Sequence, residues 1–222
     1  MKHKSHAPRG VRILYEDEDL IVVEKSAGVL SQSLDRFDER SVEAVLTDWV
    51  RKGQRKSSKQ VYLVHRLDRE TSGVMMVAKT PAARDYFRTH WNEVTEKKYL
   101  ARVDGVLAAE AGCFESYLWE DERYFVRSVK DPQKGKLART EWRRLSSTKA
   151  TTLVEVTLKS GRKNQIRVHF SEAGHPVTGD SKYGKARKSD TLCLHAWKLS
   201  FVHPRNGERL EFSAAAPIWG KV

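Results

Sequence analysis

The chain has 222 residues, 39% of them apolar, enough for one large domain or two small ones with a core in either case. Lysine and arginine number 41 against 29 acidic residues, a net charge of +12, and two cysteines, Cys113 and Cys193, lie far apart with no CxxC. These totals argue against a disulfide framework and a cysteine-based zinc site, and no apolar run has the length of a membrane span or a signal-peptide core. A reducing, cytoplasmic setting is the expectation.

The first ten residues, MKHKSHAPRG, open a short basic tail, expected to run to about residue 11. After it RILYEDEDLIVVEK (12–25) reads as two β-branched runs around an acidic turn, hence a hairpin. In SVEAVLTDWVRK (41–52) a Ser41 cap precedes a helix with Val42, Val45, Leu46 and Trp49 on one face. RKGQRKSSK (51–59) then holds five basic and no acidic residues. VYLVH and GVMMVA read as strands on either side of a polar knot at 66–72. In TPAARDYFRTHWNE (80–93) Thr80 caps a second helix, Pro81 takes its first position, and Ala83, Tyr86, Phe87, His90 and Trp91 form a stripe.

Strand-like runs follow at 97–103, 123–129, 138–145 and 152–159, with Val154, Val156 and Leu158 alternating against polar neighbours. From Arg127 to Lys149 there are eight basic residues against two acidic. NQIRVHFSEAGHP (164–176) returns to helical spacing, with Ile166, His169, Phe170 and Ala173 aligned, and stops at Gly174 before Pro176. The segment 192–214 reads as strand, Pro-Arg-Asn-Gly turn, strand. Strands outnumber helices and follow one another by short turns, which predicts an α+β protein with a large, mainly antiparallel sheet. The two basic clusters point to a polyanion, with nucleic acid first among such partners.

The chemistry centres on HRLDRETSG (65–73). A carboxylate, Asp68, stands between Arg66 and Arg69, and both favour its ionised form if they lie near it. Thr71 and Ser72 can tie their hydroxyls to nearby amides, and Gly73 permits a positive φ or a close backbone approach. An ionised, immobilised carboxylate suits a nucleophile or a stabiliser of a cationic sugar. From the local pattern alone, an ordinary salt-bridged turn is the commoner explanation.

This stretch resembles the signature of the RluA-type RNA pseudouridine synthases, in which His-Arg-Leu-Asp, two variable residues and Thr-Ser-Gly recur. VVEKSAGVL (22–30), EKKYLARVDG (96–105), SGRKNQIRVHFSEAGHPVTGDSKYG (160–184) and LHAWKLSFVHP (194–204) resemble further family elements in the family's order. The resemblance spans about residues 12–214 and implies a single catalytic domain, 12–222, of the pseudouridine synthase fold, with helices flanking the sheet and a central active-site cleft. Many relatives carry an N-terminal S4-type RNA-binding domain, and only about eleven residues precede the matching region here, so a stand-alone catalytic domain is expected.

The resemblance implies isomerisation of uridine within an RNA, tRNA or rRNA, and the reaction is expected to need no cofactor; no metal or membrane partner is expected from the sequence, and nothing in it demands more than a monomer. Asp68 would be the essential carboxylate. Tyr99 would stack on the target base, and Arg167 would pair with the catalytic aspartate. Arg66 would help extrude the nucleotide, Leu194 would wall the uracil pocket, and Arg162, Asn164 and Gln165 would face the RNA. Two departures stand out. Ser26 replaces the family's proline after Lys25, and Asn164 stands where histidine is frequent, which excludes proton transfer at that position. Lys97 and Lys98 read as surface or phosphate contacts.

GDSKYGKA (179–186) nearly spells a phosphate-binding loop, but Ala186 lacks the hydroxyl for magnesium. His169, His175, His195 and His203 fit no familiar metal spacing and read as structural. The acidic DED at 17–19 reads as a hairpin turn. Two other functions compete with the isomerase: a glycosylase using Asp68 and Glu70, which would release uracil, and a non-catalytic RNA-binding protein on the same scaffold.

Overall fold

A computed structural model describes residues 10–32, 41–54, 56–187 and 190–221. The expected tail therefore lies outside the described residues except for Gly10 and Val11, as does Arg55 of the first basic cluster. The chain divides into two compact units, Met1–Thr95 with Lys198–Ala214, and Glu96–Trp197 with Ala215–Val222.

In the first unit the predicted hairpin is β1 (Val11–Glu16) and β2 (Leu20–Lys25), paired antiparallel. Asp17 builds its turn: one carboxylate oxygen accepts the amides of Asp19 and Leu20, each at 2.7 Å. The other oxygen meets the Tyr15 hydroxyl at 2.7 Å and Nε2 of His203 at 2.8 Å. The helix α1 (Val42–Arg51) carries the Ser41 cap on the amide of Ala44. A short β3 (Tyr62–Leu63) and a longer β4 (Ser72–Ala78) follow, then α2 (Pro81–Val94), capped by Thr80 on the amide of Ala83.

β4 pairs antiparallel with both β2 and β3. Leu20, Val22, Val74, Met76 and Ala78 pack with Ala83 and Phe87 of α2. Their alternates Ile21, Val23, Met75 and Val77 are just as buried. Both faces are covered, which is why these strands read as unbroken apolar runs.

The second unit begins with β5 (Thr95–Asp104) and continues through β6 (Ala111–Glu120), β7 (Val126–Val129), β8 (Lys136–Ser147) and β9 (Thr151–Leu158). β5 pairs with β9, β9 with β8, β8 with β6 and β6 with β7, all antiparallel. The helix α3 (Gln165–Glu172) packs on this sheet, with Phe170 edge-on to Phe114 at 5.1 Å and Val168 among Leu118, Val126 and Ala138. It ends as expected at Gly174, with φ +83°, and the amides of Gly174 and His175 return to Ser171 and Phe170.

β10 (Leu194–Val202) starts in the second unit and continues into the first, where it pairs antiparallel with β11 (Arg209–Ser213). The result is the predicted mainly antiparallel sheet with three helices among the described residues. None of those helices is long and apolar enough to cross a membrane.

Two expectations are corrected here. β6 had not been read as a strand: its residues alternate between exposed and half-buried, and only Leu118 is buried, so the apolar period is faint. The VYLVH strand pairs for only two residues. Beyond them the His65 side chain takes over the ladder, its Nε2 accepting the amide of Met76 at 3.0 Å while its ring stacks on Trp91 at 4.7 Å.

Candidate active site

Asp68 lies in the segment between β3 and β4, half-buried, with its neighbours fixed on both sides. Before it, the Ser31 hydroxyl donates to the carbonyl of Leu67 at 2.7 Å and accepts the amide of Leu67 at 3.0 Å. After it, the carbonyl of Arg69 accepts from the amide of Gly28 at 2.8 Å and from Nζ of Lys25 at 3.1 Å. The amide of Thr71 closes the turn on the carbonyl of Asp68 at 3.1 Å, and Gly73 takes φ +118°. The backbone carrying the carboxylate is thus held before ligand arrives.

Arg66 is exposed, and Arg69 turns its Nε to the carbonyl of Gly28 at 3.1 Å. A buried cation, Lys25, 0% exposed, joins this loop, and its ammonium also donates to the carbonyls of Ser26 at 3.1 Å and Val29 at 2.8 Å. Burial pushes this group down to about 8, and the carboxylates of Asp68 and Glu70 pull it part of the way back. Lys25 was quoted as part of a motif but given no role. The register Lys25↔Gly73 between β2 and β4 brings it to the loop.

In the second unit, Tyr99 is 8% exposed on β5, opposite Val156 of β9. Lys97, two residues earlier and on the same face, is 5% exposed, so it is no surface residue; burial, with the Arg162 charge adding to it, pushes its ammonium down to about 8. Lys98 is half-exposed beside Glu96. Leu194 is buried at the start of β10.

Arg167, on α3, is buried, and Nε and Nη2 grip Asp180 bidentately at 2.7 and 2.8 Å. Burial alone would raise the Asp180 carboxyl. The Arg167 bonds and charge and the amides of Tyr183 and Lys182 outweigh it and hold the group below its ordinary range. Asp180 had been read only as part of a near-miss phosphate loop; it orients the arginine, and its place inside the family-like block was the available signal.

The residues before Arg167 divide by role. Arg162 is exposed, with Nε on the carbonyl of Leu137 at 3.0 Å. Asn164 takes φ +54°, a backbone state asparagine tolerates, and its Oδ1 accepts from the Tyr183 hydroxyl at 3.2 Å.

Gln165, expected to face the RNA, is 2% exposed. Its Oε1 accepts from the Ser160 hydroxyl and the Arg162 amide, and its Nε2 donates to the Arg139 carbonyl and the Thr140 hydroxyl. With both donors and its acceptor engaged inside the fold, this side chain braces the loop. His169 sits between the Thr140 and Ser116 hydroxyls, and burial pushes it down to about 4, so it is neutral at pH 7.

Comparison with known proteins gives a consistent result. The family model described as RNA pseudouridylate synthase matches residues 19–172. An RNA pseudouridine synthase of Bacillus subtilis is 34% identical over 95% of this chain and 70% of its own length. The ribosomal large subunit pseudouridine synthase D of Neisseria meningitidis serogroup A is also 34% identical, over 95% of this chain and 59% of its own. Among solved structures, human RNA pseudouridylate synthase domain containing 4 superposes with a TM-score of 0.72 at 26% identity, covering 94% of this chain and 90% of that one. The pinned Asp68 loop, the β5 tyrosine and the α3 arginine therefore belong to a chain that is a member of the RluA-type RNA pseudouridine synthases, isomerases that convert uridine to pseudouridine in RNA.

Proposed function

We propose that this protein isomerises uridine in tRNA or rRNA to pseudouridine with Asp68 as the essential carboxylate. The observation that carries the reading is the fixation of Leu67 and Arg69 on either side of Asp68 by Ser31 and Lys25. A carboxylate on a fixed backbone loses little freedom on reaching the transition state. The N1–C1′ bond breaks, C5 bonds to C1′, and the proton leaving C5 is balanced by one taken up at N1. No redox partner or group carrier enters that balance. Asp68 serves either as nucleophile or as base.

In the second unit, Tyr99 is proposed to stack on the target base, worth ~1–3 kcal/mol per stacked ring. Leu194 is proposed as an apolar wall of the uracil pocket. Arg167 is proposed as the buried cation of the site, held in position by its bidentate grip on Asp180. Arg66, exposed beside Asp68, is proposed to assist nucleotide extrusion. The relative named for the ribosomal large subunit favours rRNA as substrate.

The test compares pseudouridine maps of total RNA from cells lacking the gene with maps from cells restored by wild type or by Asp68→Asn. A site lost on deletion and regained only with wild type is the expected result. A site regained with Asp68→Asn would remove the aspartate from the mechanism, and release of free uracil would replace the isomerase by a glycosylase.

A further inference from the structure

The turn between β6 and β7 holds a residue whose conformation and exposure are at odds with packing. Tyr124 has φ +60° and is 71% exposed. A left-handed backbone costs a residue with a Cβ roughly 1–2 kcal/mol, and glycine or asparagine would take the position more readily. Strain kept at an exposed site points to use of the side chain itself.

The turn is also stiff. Asp121 Oδ1 accepts the amides of Arg123 at 3.0 Å and Phe125 at 2.9 Å, and the Tyr124 amide returns to the Asp121 carbonyl at 2.9 Å. Lys182 Nζ then holds the Tyr124 carbonyl at 2.7 Å. The backbone that carries the ring is therefore held in one conformation.

Around it, aromatic faces and cations alternate. Lys163 Nζ lies 5.1 Å from the Tyr124 ring centre, and Lys134 Nζ lies 4.2 Å from that of Trp119. The Arg127 guanidinium lies 5.8 Å from Trp119 and 6.0 Å from Phe125. The nearby carboxylates of Glu120 and Asp121 are bonded to Lys163 and Arg127. Rings interleaved with cations match the bases and phosphates of an unpaired strand.

This surface is continuous with Asn164 and Arg167 of the same unit. Phe125 contacts Tyr183 with ring centres 4.7 Å apart, and the Tyr183 hydroxyl bonds Asn164. The Arg167 guanidinium lies 5.3 Å from the centre of the same tyrosine ring.

We propose that the β6–β7 turn is a stacking platform for an unpaired nucleotide flanking the target uridine, with Tyr124 as the stacked ring and the exposed Lys134, over Trp119, beside the adjoining phosphate. The proposal rests on the reading of RNA as substrate. It fits a loop or bulge better than a continuous duplex, whose bases are already stacked on one another.

The probes are a stem-loop RNA with an oligouridine loop and a blunt duplex of the same stem. Tyr124→Asn removes the ring while suiting the left-handed backbone, so folding is kept. It is expected to weaken stem-loop binding roughly 10-fold, within the range for one lost stack, and to leave duplex binding unchanged. Tyr124→Trp is expected to restore it. Stem-loop affinity equal to wild type, as a protein-docking surface would give, overturns the proposal, and so does equal weakening for both probes.

Pseudouridine formation separates this from the enzymatic reading. If wild type forms none in any cellular RNA yet Tyr124→Asn still loses the stem-loop, the enzyme reading falls and the platform stands. If Asp68-dependent pseudouridine forms and Tyr124→Asn binds normally, the platform alone falls.

Discussion

The Lys25 ammonium has three N–H donors and meets three carbonyls, those of Ser26, Val29 and Arg69. Lys25→Met keeps much of the volume and leaves those carbonyls without that donor. We expect a loss of roughly 1–3 kcal/mol in urea unfolding and a larger proportional loss of turnover, since Arg69 adjoins Asp68, the carboxylate proposed to be essential. The pH dependence separates the two effects. The folded value, about 8, lies below the ordinary 10.5, so between these values the unfolded chain binds more protons. The contribution of Lys25 to stability therefore rises with pH across that window, and the cost of burying the charge is fully present below it. The neutral amine has only two N–H groups for three carbonyls, so the clamp loosens as stability improves. Wild-type turnover should fall above pH about 8 while the Lys25→Met profile lacks that limb; the same limb in both would exonerate Lys25. In the sequence, Asp68 could be found from its motif, but the role of Lys25 could not. Only the pairing of β2 with β4 brings this lysine, distant in the chain, to the carbonyl of Arg69.

At the scale of elements, the helices were legible where capping chemistry is local. Ser41 and Thr80 each accept the amide three residues on, as their spacing required. Surroundings decided the rest. The α3 stripe was read as one face, yet all residues from Gln165 to Phe170 are buried, because polar members are satisfied inside the fold as Gln165 and His169 are. β6 escaped detection because one edge of its alternation faces solvent and the other only half-buried space. The loop 179–184, read by its likeness to a phosphate loop, is instead the mount for Asp180. Gly179 there has φ +80°, and a Cβ would stand 1.9 Å from the carbonyl oxygen of Thr191. The obstacle is backbone, so it cannot swing aside as a side chain would. Gly179→Ala should destabilise the protein by roughly 3 kcal/mol or more by urea unfolding, and displacement of Asp180 should lower turnover further. A stability within ~0.5 kcal/mol of wild type would show that the turn relaxes freely.

At the scale of the whole molecule, the division into units is discontinuous in sequence: Lys198–Ala214 belongs with the first unit although it follows the whole main segment of the second. No composition change marks that return. The basic excess was legible, but its distribution was not. Of the cations between 127 and 149, Arg139 pairs with Glu115 and Glu141, Arg143 with Glu155 and Arg144 with Glu110. These arginines project from β8 into carboxylates, so that part of the cluster is an ion-pair lattice on the sheet. Lys130 and Lys136 are exposed and close to the proposed platform in sequence. Each phosphate neutralised by the protein contributes about −0.7 to −0.9 to the slope of log affinity against log salt. Four such contacts would reduce RNA affinity on the order of 10²-fold between about 50 and 200 mM salt. Neutralising Lys130 and Lys136 together to glutamine should make the slope shallower by about 1.5, while Arg143→Gln leaves it unchanged, because an arginine already opposite a carboxylate releases no extra counterion from RNA. Equal slopes for the two variants would mean that the lattice opens to RNA and that net charge, not its placement, governs binding.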